Sequence, residues 1–431
     1  MSEWVDSTVG AVTLYQRAGG TPTATTDSFY GGDIPFVTIE DITNGTRFLD
    51  RTEKNLSEAG LANSAAWLIK EPHILYSMYA TVGKPIINRI ACATNQAIIA
   101  LKESSEIEQS FLFYQLLFIR PNVYKYTAQT TQSNLNAGSV KKLPISYPKD
   151  KREQRKIATI LTGIDTAIEK TEVLIAKYQQ IKAGLMHDLF TRGVLPNGQL
   201  RPPREQAPEL YQETAIGWVP NEWSVRLLGD MAKIVSGVTL GSKASLAGAI
   251  EVPYLRVANV QDGYLDLREI KTIEVTQRAL ECLRLMPGDV LMNEGGDFDK
   301  LGRGAVWNGE VDDCIHQNHV FRVRCDAAQL APHYLAYYSE SSFGKKYFLI
   351  SSKQSTNLAS INSTQLNAYP IALPAPSEQQ SIVERVQAVN GRLTKLGAEA
   401  DKLRCRKLGL MHDLLTGNVP VKVEEPEVAD A

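Results

Sequence analysis

Six consecutive residues of this chain occur twice. The run Gly184–Leu189 (Gly-Leu-Met-His-Asp-Leu) returns as Gly409–Leu414, an offset of 225 residues (412 − 187 for the histidines) in a chain of 431. An identity of this length, separated by about half of the chain, indicates two similar copies joined head to tail. The fold must therefore be one that uses the same framework twice.

Shorter matches extend the repeat over most of the chain. The paired segments are Glu3-Trp4 with Glu222-Trp223, Ile34–Val37 with Val252–Leu255, Cys92–Gln96 with Cys314–Asn318, Gln132–Leu135 with Gln354–Leu358, and Pro144–Gln154 with Pro370–Gln379. The offset changes by a few residues along the chain, as loops of different length require. We therefore predict two variable domains, each followed by a well-matched helix.

Apolar residues in the two well-matched segments follow a period of 3.5 residues, with steps that alternate between four and three. The first seam is Ile157, Leu161, Ile164, Ile168, Thr171, Ile175, Tyr178, Lys182, Leu185 and Leu189, and the second is Ile382, Val386, Val389, Leu393, Leu396, Ala400, Leu403, Lys407, Leu410 and Leu414. Even the charged exception repeats, as Lys182 and Lys407. This pattern predicts two helices that pack against each other. The alternative, two unrelated amphipathic helices that each pack on their own domain, does not explain the shared register.

The length of these helices suggests a spacer. A helix from Glu153 to Phe190 would be ~57 Å long at ~1.5 Å per residue. Two such helices packed antiparallel would hold their attached domains at opposite ends. Gly193 and Gly417 follow the two helices and suit a left-handed C-terminal cap.

The two variable domains have an α/β (α+β) pattern. Short β-rich runs at 86–87, 97–101 and 319–323 lie between turn signals, and helical stretches follow at 110–118 and 332–338. The predicted fold is two globular domains separated by two long antiparallel coiled-coil helices, with a pseudo-two-fold internal repeat. The predicted segments are a first domain (1–150), a first spacer helix (151–193), a Pro-rich linker (194–220), a second domain (221–376), a second spacer helix (377–417) and a disordered acidic tail (418–431). The linker has no periodicity, so we expect it to be extended or loop-like.

Composition describes an ordinary globular protein, with 43% hydrophobic and 22% charged residues. No apolar run approaches the ~20 residues of a membrane span, and no basic-then-apolar leader precedes the first domain. The five cysteines are odd in number and scattered, which favours a reducing cytoplasm over a disulfide framework. We expect a cytoplasmic protein without a membrane partner. A formal charge of −2 means that any nucleic-acid binding relies on local basic patches or on partners.

A search for catalytic motifs finds none with the required spacing. Gly237–Lys243 comes nearest to a phosphate loop, but its spacing is wrong. The Asn/Asp-Pro-Pro-aromatic run of amino-methyltransferases is missing. Cys314, His316, His319 and Cys325 offer soft metal ligands without the paired spacing of a zinc site, and strand positions explain them better. We therefore predict no catalytic site and no metal site.

The repeated His-Asp pairs, His187-Asp188 and His412-Asp413, could suggest acid–base chemistry. Adjacent residues on a helix point ~100° apart, so the two side chains cannot form a dyad together. Their position at the end of both helices favours a role in helix packing or partner docking.

The order of these parts resembles the DNA-specificity (S) subunit of Type I restriction–modification systems, which serve host defence. The resemblance covers essentially the whole chain. Its most specific parts are Leu143–Ile157, the duplicated Gly-Leu-Met-His-Asp-Leu, and Ile216–Trp223, which is similar to the start of a recognition domain in that family. In this chain Arg192-Gly193 stands where the second copy has Thr416-Gly417.

The resemblance implies a non-catalytic subunit that binds double-stranded DNA in a sequence-specific manner. Each target-recognition domain would read one half of a bipartite site, and the helices would set the spacing and dock two methyltransferase (modification) subunits. Restriction (motor-nuclease) subunits would join them. S-adenosylmethionine, ATP and Mg would belong to the partner subunits, which would methylate adenine. Because the two domains differ in sequence, the two half-sites should differ.

Candidate DNA contacts lie in loops rich in glycine, polar and basic residues, where backbone can approach phosphate and side chains can reach base edges. The selected residues are Gly19, Gly20, Thr21, Thr23, Tyr79, Lys84, Thr131, Asn134, Ser236, Lys243, Asn293, Lys300, Arg303, Lys353 and Asn357. Lys84, Lys300 and Arg303 are the favoured contacts to phosphate or guanine. The alternative for each is an ordinary solvated surface residue.

Helix packing or partner docking is expected of a second set. It comprises Ile157, Leu161, Ile164, Ile168, Leu185, His187, Ile382, Val386, Val389, Leu393, Leu410 and His412. A basic run from Lys141 to Lys156 lies where the first domain meets its helix. It is either a solvated helix start or a contact to DNA backbone or a partner, and the sequence leaves both open.

Two other classes of function remain as alternatives. One is a self-sufficient methyltransferase or nuclease with a cryptic site. The other is a duplicated coiled-coil adaptor that binds only proteins.

Overall fold

The computed structural model of this chain describes residues 3–126, 134–239, 248–296, 301–302, 304–354 and 359–423. The chain divides into two compact units. Unit 1 is Met1–Val173 with Ala398–Ala431, and unit 2 is Leu174–Gly397. Each unit thus contains one variable domain and parts of both long helices.

Unit 1 builds its domain from short strands and helices. Its strands are β1 (Trp4–Thr8), β2 (Thr13–Ala18), β3 (Tyr30–Val37), β4 (Phe48–Leu49), β5 (Lys54–Leu56), β6 (Ile74–Ser77), β7 (Pro85–Asn88), β8 (Ala93–Thr94), β9 (Ile98–Glu103) and β10 (Pro144–Pro148). Its helices are α1 (Ile39–Asn44), α2 (Glu58–Ala62), α3 (Gln109–Ile119) and α4 (Ala137–Lys141), followed by the long α5 (Lys151–Thr191). The strands form sheets in the orders β2-β9-β6-β7-β4, β5-β3-β8 and β1-β10.

Unit 2 repeats this plan with additions. Its strands are β11 (Tyr211–Thr214), β12 (Gly217–Pro220), β13 (Ser224–Leu227), β14 (Ala232–Ser236), β15 (Ile250–Leu255), β16 (Lys271–Val275), β17 (Asp289–Asn293), β18 (Gly295–Gly296), β19 (Gly304–Val306), β20 (Ile315–His316), β21 (Val320–Cys325), β22 (Lys353–Gln354), β23 (Ala359–Ser360) and β24 (Pro370–Leu373). Its helices are α6 (Gln277–Leu283), α7 (Pro332–Glu340), α8 (Ser342–Ser351) and α9 (Ser363–Asn367), followed by the long α10 (Pro376–Leu415).

The strand pairings of the two domains correspond. The order β2-β9-β6-β7 has its counterpart in β14-β21-β17-β19, the order β5-β3-β8 in β16-β15-β20, and the pair β1-β10 in β13-β24. In each domain the central strand, β6 or β17, is buried along its length. A helix packs against each sheet, α3 against β7 and α7 against β17 and β19, and these helices lie close to the predicted stretches 110–118 and 332–338. The predicted fold class, two α/β domains and two long helices in an internal repeat, is confirmed.

The long helices α5 and α10 contain 41 and 40 residues. The predicted seam is correct, because all of its positions on both helices are buried or half-buried. In unit 1, Ile157 and Leu161 share one core with Met411 and Leu414. The beginning of α5 therefore packs beside the end of α10, and within unit 1 the two helices run antiparallel. Within the part of the chain that is described, no helix has both the length and the apolar character needed to cross a membrane.

Unit 2 contains the other ends of the same helices. Met186, Leu189 and Phe190 near the end of α5 share a core with Ile382 and Val386 near the beginning of α10. Leu185 packs against this cluster, and Leu410 packs against the corresponding cluster of unit 1. Each domain thus rests on the start of its own helix and on the end of the other.

The two seam lysines find different acidic partners. Lys407 Nζ lies 2.6 Å from Asp165 Oδ1 on α5 within unit 1. Lys182 Nζ lies 2.7 Å from Glu340 Oε1 at the end of α7 within unit 2. All four side chains are largely removed from solvent, so an unpaired charge at either lysine would be costly. The repeated lysine thus forms an ion pair in both copies, but its acidic partner lies on a different element in each.

A buried glutamine joins each helix to its own domain. Gln154 accepts a hydrogen bond from Glu108 N (2.8 Å) and donates to Glu106 O (3.0 Å) and Pro148 O (2.9 Å). Gln379 accepts from Ala331 N (2.9 Å) and donates to Gln329 O (2.8 Å) and Pro374 O (3.0 Å). Both side chains are buried. The repeated Glu-Gln pair at the start of each helix therefore supplies the same three-bond attachment twice.

Glycine ends both helices, as the sequence predicts. Gly193 has φ 66° and Gly417 has φ 75°, the left-handed conformation of a C-terminal cap. In unit 2 a Cβ at Gly193 would overlap the Trp223 ring, and in unit 1 a Cβ at Gly417 would lie 2.7 Å from the Trp4 ring. The repeated Glu-Trp pairs thus place a tryptophan against the end of a helix in both units.

The Pro-rich linker is more structured than expected. The sequence predicts an extended or loop-like segment over 194–220, whereas β11 and β12 form an antiparallel hairpin with Tyr211 opposite Pro220. Arg201 is buried, and its guanidinium forms a two-bond ion pair with Glu378. The sequence does not reveal the hairpin, because its strands have only four residues each and lie among prolines. It does not reveal the ion pair either, because Arg201 and Glu378 are far apart in the chain.

Replacing Gln379 with leucine tests the glutamine attachment. The Gln379→Leu protein leaves the Ala331 N–H and the carbonyls of Gln329 and Pro374 without their partner, and each loss costs about 1–3 kcal/mol where the group is buried. We expect the free energy of unfolding of unit 2 to fall by about 2–4 kcal/mol. Urea denaturation of the full chain measures this change.

Gln380→Leu is the matched control, because Gln380 is the exposed neighbour on the same helix. Its effect should stay within about 0.5 kcal/mol. Equal destabilisation by the two variants would contradict the assigned role.

Candidate nucleic-acid interface

The loops selected from the sequence leave the same end of the central sheet in each domain. In unit 1, Ala18 at the end of β2 pairs with Ile99, and Ser77 at the end of β6 pairs with Ile98. Because neighbouring strands are antiparallel, the segments after β2 and β6 and the segment before β9 emerge together. We call this surface the first loop face; it consists of Gly19–Thr23, Tyr79–Lys84, Thr94–Gln96 and Asn134.

Main-chain hydrogen bonds join the segments of the first loop face. Gly20 N donates to Thr94 O at 2.9 Å, and the Thr21 hydroxyl donates to Gln96 Oε1. Met78 N donates to Ala97 O (2.8 Å), while Met78 O accepts from Leu135 N (2.9 Å). Gly19 and Gly20 are buried in these contacts, whereas Thr21 and Thr23 are exposed.

Gly19 is required by a close approach of two segments. A Cβ at this position would overlap the carbonyl group of Thr94. The same relation recurs in unit 2, where a Cβ at Gly237 would overlap the carbonyl group of His316. In each domain a glycine thus allows the segment after the first sheet strand to approach the segment before β9 or β21 closely.

The segment Tyr79–Lys84 presents few side chains to solvent. Tyr79 is 41% exposed, but Lys84 turns inward. Its ammonium group donates to Thr43 O (2.9 Å) and Gly45 O (2.7 Å). Burial, with a further contribution from Arg120, lowers the pKa of Lys84.

A short 3-10 helix, Arg120–Tyr126, lies against this loop, and the sequence analysis does not predict it as part of the site. Arg120 Nε donates to Val82 O at 3.3 Å, and Tyr124 and Tyr126 are 59% and 37% exposed. Lys125 between them is also exposed. The Tyr-Lys-Tyr run is the signal that could have identified it, because aromatic and basic side chains together suit single bases and phosphates.

The corresponding surface of unit 2 is the second loop face, formed by Ser236–Val238, Asn293–Gly295, His316–His319 and Ser360-Ile361. Ser236 pairs with Phe321 and Asn293 pairs with Val320, so β14, β17 and β21 meet at this end. Val238 N donates to His316 O (2.8 Å), and Ile361 N donates to Glu294 O (2.8 Å). Ser236 is exposed.

Some of the predicted DNA contacts are not exposed loop residues, and others lie outside the described residues. Asn293 is buried, and its amide donates to Val260 O at 3.0 Å. Lys353 begins β22, opposite Ser360. Thr131, Lys243, Lys300, Arg303 and Asn357 lie outside the described residues.

Cys314 and His316 are both buried, and the His316 side chain lies on the inner side of the second loop face. Burial raises the pKa of the Cys314 thiol to about 12, and His316 Nδ1 donates to Val320 O (2.6 Å) in the tautomer that this acceptor requires. Among the described residues, no three His, Cys, Asp or Glu side chains are grouped so that they could hold a metal ion.

The basic run at the start of α5 is largely paired with acids of unit 1. Lys149 contacts Glu3 (2.6 Å), and Lys151 contacts Glu108 (3.3 Å). Arg152 contacts Asp150 at 2.7 Å. These ion pairs are exposed or half-exposed, which fits a solvated helix start. Lys141, Lys142 and Lys156 are also exposed.

The two repeated histidines are exposed on their helices. In unit 2, His187 lines a groove with Arg192 and Trp218. In unit 1, the His412 ring lies 6.5 Å from the Phe118 ring. Both positions leave the imidazoles accessible, and the docking role remains a prediction.

Comparison with known proteins agrees with this fold. A family profile described as "Type I restriction modification DNA specificity domain" matches residues 1–177 and 220–400. The match includes both domains and most of both long helices.

Two relatives come from Methanocaldococcus jannaschii. The putative type I restriction enzyme MjaX specificity subunit is 26% identical over 213 residues, which cover 49% of this chain and 49% of the relative. The MjaVIII specificity subunit is 22% identical over 426 residues, covering 97% of this chain and 94% of the relative. The chain thus spans about half the length of the first relative and nearly all of the second.

A solved structure shares the fold. The S subunit of a Type I restriction–modification system from M. genitalium superposes with a TM-score of 0.57 over 96% of both chains, at 13% sequence identity. At this identity the likeness concerns the fold alone.

The buried His316 predicts a pH dependence of stability. Burial, together with the charge of Arg322, lowers its pKa from the ordinary ~6.5 to about 4. Between these values the unfolded chain binds a proton that the folded chain excludes, so stability falls as the pH drops from about 6.5 to about 4. We expect His316 to contribute a loss of about 2 kcal/mol between about pH 7 and about pH 5.

The measurement is urea unfolding of the native chain and of His316→Asn at both pH values. Asparagine retains a donor for Val320 O but does not titrate, so the pH-dependent loss should be smaller in the variant. An identical loss in both proteins would show that His316 does not titrate as assigned.

Proposed function

Because the chain belongs to the family of Type I restriction modification DNA specificity domains, we propose that it is the non-catalytic, DNA-reading subunit of a Type I restriction–modification complex. The observation that carries the proposal is the pair of loop faces. They occupy the same end of corresponding sheets but carry different side chains. One framework thus presents two different reading surfaces.

The chemistry of the first loop face suits duplex DNA. Exposed Thr21 and Gln96, with half-buried Asn134, offer hydroxyl and amide groups. Such groups bind base edges and phosphate oxygens. Tyr79 and the neighbouring Tyr-Lys-Tyr run add aromatic and basic groups.

The second loop face has a different set of groups. Ser236 and His319 are exposed, and His319 Nδ1 lies 2.7 Å from Glu294 Oε2. A carboxylate can accept from the cytosine amino group, whereas amides favour adenine. Unlike groups on two faces favour two unlike half-sites, so the site is asymmetric and bipartite. Lys243, Lys300 and Arg303, which lie outside the described residues, remain expected DNA contacts of the second domain.

The long helices act as the spacer between half-sites. Helices of 40 and 41 residues are each ~60 Å long, more than the ~34 Å that separates half-sites one helical turn apart. Within unit 1 the apolar seam and the Lys407–Asp165 pair join the two helices and resist sliding of one along the other. A fixed gap between half-sites follows.

Catalysis belongs to partner subunits in this proposal. Two methyltransferase (modification) subunits dock on the helices, with His187 and His412 among the accessible contacts, and restriction (motor-nuclease) subunits join the complex. S-adenosylmethionine, ATP and Mg are held by those partners, and adenine is methylated there. Methylation mapping of the host genome with and without this gene identifies the recognised site.

The gap between half-sites supplies the main test. One inserted base pair shifts a half-site by about 3.4 Å and rotates it by about 34°. We expect the complex of this chain with its methyltransferase partner to lose most of its specific affinity for such a duplex, measured by fluorescence anisotropy.

The control duplex carries the extra base pair outside both half-sites and should bind like the original. Indifference to gap length would contradict the spacer role. Binding of protein partners without any DNA shift would favour the adaptor alternative, and methyl transfer by the isolated chain would favour the enzyme alternative.

The two glycines at the loop faces should affect one half-site each. In Gly19→Ala and Gly237→Ala the added Cβ forces its loop to move. We expect each to lose on the order of tenfold in affinity, about 1.4 kcal/mol, through only one half-site, tested with duplexes that have one half scrambled.

Gly391→Ala is the control, since a Cβ there meets open space on α10. It should leave recognition of both half-sites unchanged. Equal losses at both half-sites in either loop variant would contradict the assignment of one face to one half-site.

A further inference from the structure

The segment after β6 has an unusual backbone. Ala80 has φ 54°, and the only other non-glycine residue with positive φ in the described part of the chain is Asp313. This conformation is costly for a residue with a Cβ and persists where surrounding contacts impose it. Gly83, with φ 78°, reverses the chain at the other end of the loop.

Ser77 imposes the shape from inside the loop. It is fully buried at the end of β6, and its carbonyl accepts from Gly83 N at 2.9 Å. Its hydroxyl donates to Thr81 O and accepts from Lys84 N (3.0 Å). One side chain therefore closes the loop across its base.

Lys84 fastens the same loop to a neighbouring helix. Its Nζ donates to Thr43 O and Gly45 O, the carbonyls at the C-terminal end of α1. A helix C-terminus attracts cations and leaves carbonyls that need donors. Two of the three donors of the ammonium group are used within the domain. A lysine so engaged is poorly placed to reach a phosphate.

The third support comes from the 3-10 helix. Arg120 Nε donates to Val82 O (3.3 Å), and the Val123 side chain lies 3.1 Å from where a Cβ of Gly83 would stand. Only Tyr79 and Ala80 of this loop remain exposed, and Tyr79 is its one large exposed side chain. The contacts of Ser77, Lys84 and Arg120 thus hold the loop in a shape that exposes Tyr79.

We propose that Tyr79 is a specificity-determining contact to the first half-site, and that Lys84 is a positioning residue that acts through Tyr79 without touching DNA. This inference rests on the proposed function. Preorganisation gives it a physical basis, because a loop already fixed in its bound shape loses less conformational entropy on binding.

The salt dependence of binding separates positioning from phosphate contact. Removing a phosphate contact weakens binding to every duplex and lowers the slope of log K against log salt by about 0.9. We expect Lys84→Met to lose on the order of tenfold on the cognate duplex, with an unchanged slope. On a duplex with a scrambled first half-site it should bind like the native chain, which also shows that the variant is folded.

A double-mutant cycle tests the route through Tyr79. If Lys84 acts only by placing Tyr79, then Tyr79→Ala combined with Lys84→Met loses no more affinity than Tyr79→Ala alone. Lys54→Met is the matched control, since Lys54 is an exposed lysine on β5 of the same domain. It should not change the ratio of cognate to scrambled binding.

Three outcomes would overturn the inference: a reduced salt slope in Lys84→Met, additive losses in the cycle, or native behaviour of both single variants. All are measured with the complex of the full chain and its methyltransferase partner. Failure of the native complex to prefer the bipartite duplex would instead refute the proposed function.

Discussion

The buried glutamine at the start of each long helix is the interaction on which the rest of the structure depends. Gln154 and Gln379 each bind three main-chain groups from two separate segments of their domain. These bonds fix where the helix begins and in which direction it leaves. A seam of apolar residues can guide two helices together, but it cannot orient a domain at their ends. The glutamine supplies that orientation, and leaving its partners unsatisfied in the interior would be costly.

The seam lysines show how the framework tolerates change. Both copies place a lysine at the same register, and both keep its charge paired. The acid comes from the opposite long helix in unit 1 and from α7 in unit 2. A partly buried ion pair requires a partner of opposite charge at the right distance, whichever element carries it. The two copies therefore both pair the seam lysine with a carboxylate, although the carboxylate comes from a different element in each.

Periodic features were predictable from the sequence and isolated contacts were not. The seam and the helix α5, to within two residues at each end, follow from a pattern that encodes one buried face. The helices α3 and α7 follow from apolar runs, and their buried residues are consecutive, 111–116 and 334–339. The sequence pattern predicts that Lys84 contacts phosphate or guanine, because it is basic and lies in a loop. Its two acceptors, Thr43 O and Gly45 O, are remote in sequence. The sequence likewise does not predict that Asn293 is buried, because its hydrogen-bond acceptor, Val260 O, belongs to another segment of the chain.

The chemistry of the glutamine explains why the two domains can differ so much on one framework. Every partner of Gln154 and Gln379 is a backbone N–H or carbonyl, which any residue provides at those positions except where proline would remove a needed N–H. The attachment therefore places no demand on most domain side chains. In the proposed function, substitutions on the loop faces change the groups offered to DNA and leave these bonds of the glutamine in place. In the proposed function, specificity can vary because the glutamine attachment binds the main chain of a domain, while DNA contacts the side chains of the loop faces.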